Sequence, residues 1–227
     1  MPPRRRTDAL PDARGIPLVL YADPLSAWCW VAERRVRAVA EELGDVFAPL
    51  RIEHFPLRRT PRALSGAERR ALARAARRAA REAEGRGTSA ELWLSPDAPL
   101  SSLPPLAALV AARPQGADRE EALRAAIREA ALVRGVNVAR NDVLLELAER
   151  AGLDLRRFAA ALFAPATERR LREIVEDADD KGIAGAPALV VGDEWLVSGP
   201  RTPAEYRDVL RRYAAARPGL TLAHIVH

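Results

Sequence analysis

Between residues 15 and 55 the chain sets two short strand-like runs on either side of one long helical pattern, and this spacing constrains the fold more than any other feature. Residues 15–21 (GIPLVLY) form an apolar run behind a turn residue, which predicts a buried strand. Asp23-Pro24 ends it. From Ser26 to Leu43 the apolar residues Val36, Val39, Ala40 and Leu43 recur at helical spacing, and Gly44 closes the pattern. Residues 49–55 alternate apolar and polar, predicting a second strand with His54 on its exposed phase. A helix of this length between two strands serves as a crossover, so the strands are expected to run parallel.

The middle of the chain reads as helical. Residues 65–84 form an Ala/Arg/Glu helix with little large apolar surface, expected to lie exposed and to present the arginines of 69–81 to solvent. Gly85 and Gly87 break it, and the proline-rich residues 95–105 read as a loop. Further helices are predicted at about 104–113, 118–134, 141–151, 154–163 and 167–180. Strands return at 187–191 and 194–198, flanking the turn signal Gly192-Asp193. A last helix is predicted over 202–215, with Thr202 as N-cap and Pro203 at its first position. The expected order is βαβ, a helical block, then ββα. The corresponding division is a disordered tail at 1–14, a mixed α/β unit at 15–60 and 181–217, an all-helical insertion at 61–180, and a tail at 218–227.

Composition narrows the function. The net charge is +5, and the excess sits in residues 1–85, with 17 arginines against 11 acidic residues. That imbalance falls short of the concentrated basic stripe of a nucleic-acid binder. No stretch reaches the roughly 20 apolar residues of a membrane span. The first residues carry charge with no apolar run behind it, so neither a secretory nor a twin-arginine leader is expected, and the chain reads as cytoplasmic. A lone cysteine, Cys29, excludes an intrachain disulfide. His54, His224 and His227 form no metal-ligand spacing with it, so no metal is expected.

Two local features carry chemistry. Asp23-Pro24-Leu25-Ser26-Ala27-Trp28-Cys29-Trp30 spans the first strand-to-helix junction. A thiol in the first helical turn faces the positive end of the helix dipole, which favours the thiolate; burial beside Trp28 and Trp30 opposes it. Ser26 also suits a plain N-cap, and Cys29 an inert buried thiol. Trp28 lies in the turn and is a groove candidate, whereas Trp30 reads as packing. The second feature is Gly182-Ile183-Ala184-Gly185-Ala186-Pro187, just before the third strand. Proline is tolerated at a strand's first residue, and a cis Ala186–Pro187 bond fits there.

Taken together, residues 23–30, residues 182–187, the run Val197-Ser198-Gly199-Pro200 and the stretch from Asn141 to Leu153 resemble the DsbA-like family, most closely its FrnE-type cytoplasmic members. The resemblance covers roughly residues 16–215 and implies a thioredoxin-like fold with an inserted helical domain. It also implies a site at Ser26 and Cys29, with Trp28, Ala186 and Pro187 forming a groove for substrate or glutathione. The family's nucleophilic cysteine falls on Ser26 and its resolving cysteine on Cys29. A hydroxyl forms no disulfide, so two-thiol exchange within this site is excluded. Serine at this turn is also similar to the kappa-class glutathione transferases and hydroxychromene-carboxylate isomerases, where it hydrogen-bonds the glutathione thiolate. Three functions are therefore expected as alternatives: single-thiol redox chemistry at Cys29, a glutathione-dependent transferase or isomerase using Ser26, and a non-catalytic binding or adaptor module. No resident cofactor is expected, glutathione being a co-substrate. The partners implied are protein thiols or disulfides, or glutathione, with a homodimer as a further expectation.

Overall fold

The computed structural model describes residues 15–217; the tails assigned above to 1–14 and 218–227, with His224 and His227, lie outside them. Strand β1 (Leu18–Ala22) leads into helix α1 (Ala27–Leu43), which returns to β2 (Arg51–His54) parallel to β1. Helices α2 (Gly66–Ala79), α3 (Glu91–Leu94), α4 (Leu103–Ala112), α5 (Ala117–Arg128), α6 (Asn141–Arg150), α7 (Leu155–Leu162) and α8 (Pro165–Asp180) follow. Strands β3 (Ala188–Val191) and β4 (Trp195–Ser198) and helix α9 (Pro203–Ala215) end the described chain. The sheet order is β2-β1-β3-β4, antiparallel except for the β1–β2 pair. This is a thioredoxin-like α/β fold with a helical insertion.

The period-2 alternation of β1 assigns its residues to two layers. Leu18, Leu20 and Ala22 face α1 and α9, packing with Val36, Val39, Leu210 and Tyr213. Val19 and Tyr21 face the other side, where Phe55, Ala178 and Ile183 cover them. Helix α1 is divided in the same way. Cys29, Ala32, Val36, Val39 and Leu43, spaced by three and four, face the sheet, while Ala27 and Val31 join the core of the insertion. Thr202 and Glu205 cap α9 reciprocally, with Pro203 at its first turn. Gly192 and Asp193, at the centre of the β3–β4 turn, have φ of 60° and 61°. Two left-handed central residues mark a type I′ hairpin turn. At Gly192 a side chain would also strike the Tyr213 hydroxyl.

Four expectations are corrected. His54 is buried, 1% exposed, because it shares the phase of Ile52 and the insertion covers that edge of the sheet. Helix α2 is not a solvated helix throughout: Ala73, Ala76 and Ala79 form a buried small-residue face within the insertion core. That helix also ends at Ala79, short of 84. The 95–105 loop ends early, since its last three residues start α4 with prolines in the first turn, where their missing N–H groups break no helical bond.

Candidate functional site

The Asp23–Ser26 turn is held by its own first residue. The Asp23 carboxylate accepts the Leu25 N–H through Oδ1 and the Leu57 N–H through Oδ2, both at 2.8 Å. It therefore ties the turn to the chain leaving β2. Burial pushes the Asp23 carboxyl up from its ordinary pKa, against these hydrogen bonds. The Ser26 N–H donates to the Asp23 carbonyl at 3.1 Å and closes the turn.

Ser26 is the N-cap of α1. Its φ and ψ of −103° and 113° are extended, and its Oγ accepts the Cys29 N–H at 3.3 Å. Such a cap contributes about 1 kcal/mol relative to alanine. Ser26 is half-exposed, and its hydroxyl also lies against the Cys29 thiol. The first-turn N–H groups of Ala27 and Trp28 add positive potential there.

Cys29 lies differently. It is 0% exposed, faces the sheet, and its Sγ receives a long contact of 3.5 Å from the Asp23 N–H beside the Ser26 hydroxyl. Burial pushes its pKa up to about 12, outweighing the Ser26 contact that favours the thiolate. Of the two opposing effects on this thiol, burial wins. At pH 7 only about 1 in 10^5 of such a thiol is ionised.

The sheet brings the second feature alongside. Tyr21 of β1 pairs with Ala188 of β3, so the residues just before Ala188 run antiparallel to those just after Tyr21. Ala186 and Pro187 thus meet the same end of the sheet as the Asp23–Ser26 turn. The Ala186–Pro187 bond is cis, Ala186 is half-buried, and the Pro187 carbonyl accepts the Gly199 N–H at 2.8 Å. Trp28 is half-buried and, with Ser26, lines a cavity against the insertion. Trp30 carries the Arg34 guanidinium 4.5 Å above its ring, consistent with a packing role.

Asp23, Ser102 and Arg58 escaped the sequence reading. Asp23 belongs to the 23–30 motif, but an acidic residue before proline at a strand end suggests a terminator and gives it no role of its own. Ser102 and Arg58 arrive from the insertion and the segment leading to it, and no local pattern marks them.

The architecture defines a class: a thioredoxin-like protein whose helix-capping turn faces a cis-proline strand. The DSBA-like thioredoxin domain model matches residues 17–211, and the chain belongs to that family. Among solved structures, the cytosolic disulfide reductase DsbM of Pseudomonas aeruginosa, determined with glutathione (GSH), is similar at 24% identity and TM-score 0.65. The likeness covers 87% of this chain and 98% of that one. A Nitrosomonas europaea protein, described as a proposed disulfide isomerase, is similar at 22% identity and TM-score 0.77, over 89% and 99%. The ClpXP adapter protein SpxH of Halalkalibacterium halodurans is 28% identical over 181 residues, 77% of this chain. The match spans 58% of the adapter's own length.

Proposed function

We propose that the protein binds a small thiol, glutathione in the first instance, as its thiolate at Ser26, and performs no dithiol exchange of its own. One observation carries this reading: the turn presents a half-exposed hydroxyl where the family presents its reactive sulfur, and the remaining thiol is buried with its proton retained. A serine hydroxyl that accepts a helix N–H still donates its own proton, and a bound thiolate is a suitable acceptor. The helix N-terminus favours the anion. Ala186, Pro187 and Trp28 would flank the bound tripeptide. Burial of Cys29 weighs against the single-thiol alternative. The reading assigns the protein to a reducing, cytoplasmic setting, in keeping with its relation to a cytosolic reductase.

Calorimetric titration with glutathione tests it. Saturable binding that tightens as pH rises toward the glutathione thiol pKa, and that disappears in Ser26→Ala, is the expected result. Absence of binding at millimolar glutathione would sink the proposal.

A second reading, a binding or adaptor module, draws on the likeness to an adapter protein. It predicts that partners captured by the full chain are unchanged by a Ser26→Ala/Cys29→Ala double substitution. Loss of those partners would remove it.

A further inference from the structure

Strand β4 is an edge: in the order β2-β1-β3-β4, no strand among the described residues lies beyond it. One bond fixes which of its backbone groups face outward. The Gly199 N–H donates to the Pro187 carbonyl at 2.8 Å, so it points at β3. Backbone groups alternate along a strand, so those of Trp195 and Val197 also point at β3, and those of Leu196 and Ser198 point away from the sheet. Natural edges are blunted by charged side chains, proline or a bulge. Residues 195–198 (WLVS) carry no charge and no proline, and their register with β3 is unbroken. Trp195 and Leu196 are instead 40% and 41% exposed, on opposite faces of the strand. Glu194, the nearest acid, is neutralised by Arg217 at 2.7 Å.

This edge is complementary to itself. When β4 is laid antiparallel on a second copy about Val197, Leu196 falls opposite the partner's Ser198. These two residues exchange both hydrogen bonds, and the two-fold axis repeats the exchange. Trp195 falls opposite the partner's Gly199, where no side chain competes with the indole. Val197 meets its own counterpart on the same face, the face on which Tyr213 touches the Trp195 ring edge-on at 5.2 Å. Pro200 has no N–H to offer and falls opposite the partner's Glu194. The Glu194 N–H is already engaged in the hairpin turn, by the Val191 carbonyl at 3.2 Å, so the ladder ends without an orphaned donor. Just beyond, Asp193 falls opposite the partner's Arg201. Both are exposed, and among the described residues neither joins an ion pair. Glu205 feels the Arg201 charge but bonds Thr202. The neighbouring registers lose these matches. Centred on Leu196, the pairing sets Ser198 against the engaged Glu194 N–H; centred on Ser198, it sets Leu196 against Pro200.

We propose that β4 is the interface of a symmetric homodimer, in which two copies pair antiparallel about Val197 and join their sheets into one. Each copy has a single such edge, so the assembly closes at two. The proposal is independent of the thiol-binding reading.

Sedimentation of the full chain from micromolar to near-millimolar concentration is expected to show a monomer–dimer equilibrium with no larger species. Ser198→Pro removes an outward N–H, leaves the bonds to β3 intact, and is expected to weaken the dimer about tenfold or more. Arg201→Glu sets like charges against each other at both ends of the ladder and is expected to weaken it about tenfold at low salt. Adding Asp193→Lys to Arg201→Glu reverses both charges and is expected to restore the dimer. Thermal melting checks that each variant is folded. A monomer at every concentration, assemblies beyond the dimer, or a dimer unchanged in both folded single variants overturns the proposal. A full chain that stays monomeric but dimerises once residues 218–227 are deleted assigns the edge to that segment and overturns it equally.

Discussion

At the scale of single residues, the site separates two properties of one side chain. Ser26 caps α1 and presents a hydroxyl. Glycine at an N-cap loses only a few tenths of a kcal/mol, whereas alanine loses about 1 kcal/mol. Ser26→Gly should therefore abolish glutathione binding with almost no change in the denaturation midpoint, while Ser26→Ala should lower both. Equal stability losses in the two variants would show that the cap is not what Ser26 contributes to the fold. Cys29 gives a second prediction. With its thiol buried and its pKa pushed up to about 12, it should react with Ellman's reagent only on unfolding. A native-state rate comparable to that of free cysteine would contradict the geometry. Restoring a thiol with Ser26→Cys should place a half-exposed sulfur at a helix N-terminus, and insulin reduction should appear. Its absence would mean that the groove, not only the missing cysteine, has diverged.

At the scale of elements, the seam between α5 and the sheet edge is electrostatic. Arg128 pairs with Glu33 of α1, and Arg124 pairs with Glu120 at 2.6 Å. Arg113 joins Glu53 at 2.7 Å and Glu120 at 3.3 Å. His54 lies inside this network, its Nε2 unpartnered among the described residues and 3.9 Å from Glu120. Burial, then the surrounding Arg113, Arg124 and Arg128, holds its pKa well below 6.5. The unfolded chain therefore takes up a proton near pH 6.5 that the folded protein refuses, so stability falls as pH drops below that value. Glu33 adds to the loss at lower pH. Despite burial, Arg128 and Arg37 hold its carboxyl below 4.5, and that stabilisation disappears as pH falls through the depressed value. Urea unfolding between pH 7.5 and 5.5 should show the decline, and His54→Gln should flatten it. Glu33→Ala, which strands a buried arginine, should cost about 3–5 kcal/mol.

The same seam explains what could be read in advance. Helix α1, the hairpin and α9 are marked by apolar period, turn residues and caps, all local signals, and the Ser26 and Pro187 features sit at element ends where such signals concentrate. His54 and Glu53 were not legible, because what covers them comes from residues 113–128, about 60 positions away. Even so, the shared phase of Ile52 and His54 was a clue to the inner face. The alanine face of α2 escaped for a related reason: small side chains carry little hydrophobic signal but allow close packing.

At the scale of the whole molecule, α1 belongs to two cores at once. Its Cys29–Leu43 stripe completes the sheet layer, and Ala27 and Val31 complete the insertion. Arg35, itself buried, links it to Glu84 at 3.1 Å and to the Arg201 carbonyl at 2.9 Å, joining the segment that follows α2 and the entry to α9. Neither core keeps its full apolar contact without this helix. Trp93 in the insertion and Trp195 on the sheet edge should therefore report the same denaturation midpoint in single-tryptophan variants. Separated midpoints would show the insertion folding as an independent body.

The capping geometry of Ser26 also bears on how such a turn could have lost its sulfur. Serine is among the preferred residues at a helix N-cap, and here it makes the bond that preference reflects. A lineage exchanging the nucleophile for serine would silence disulfide chemistry without weakening the scaffold. Selection acting on foldedness alone would offer no resistance, and the emptied catalytic position would remain available for a new ligand.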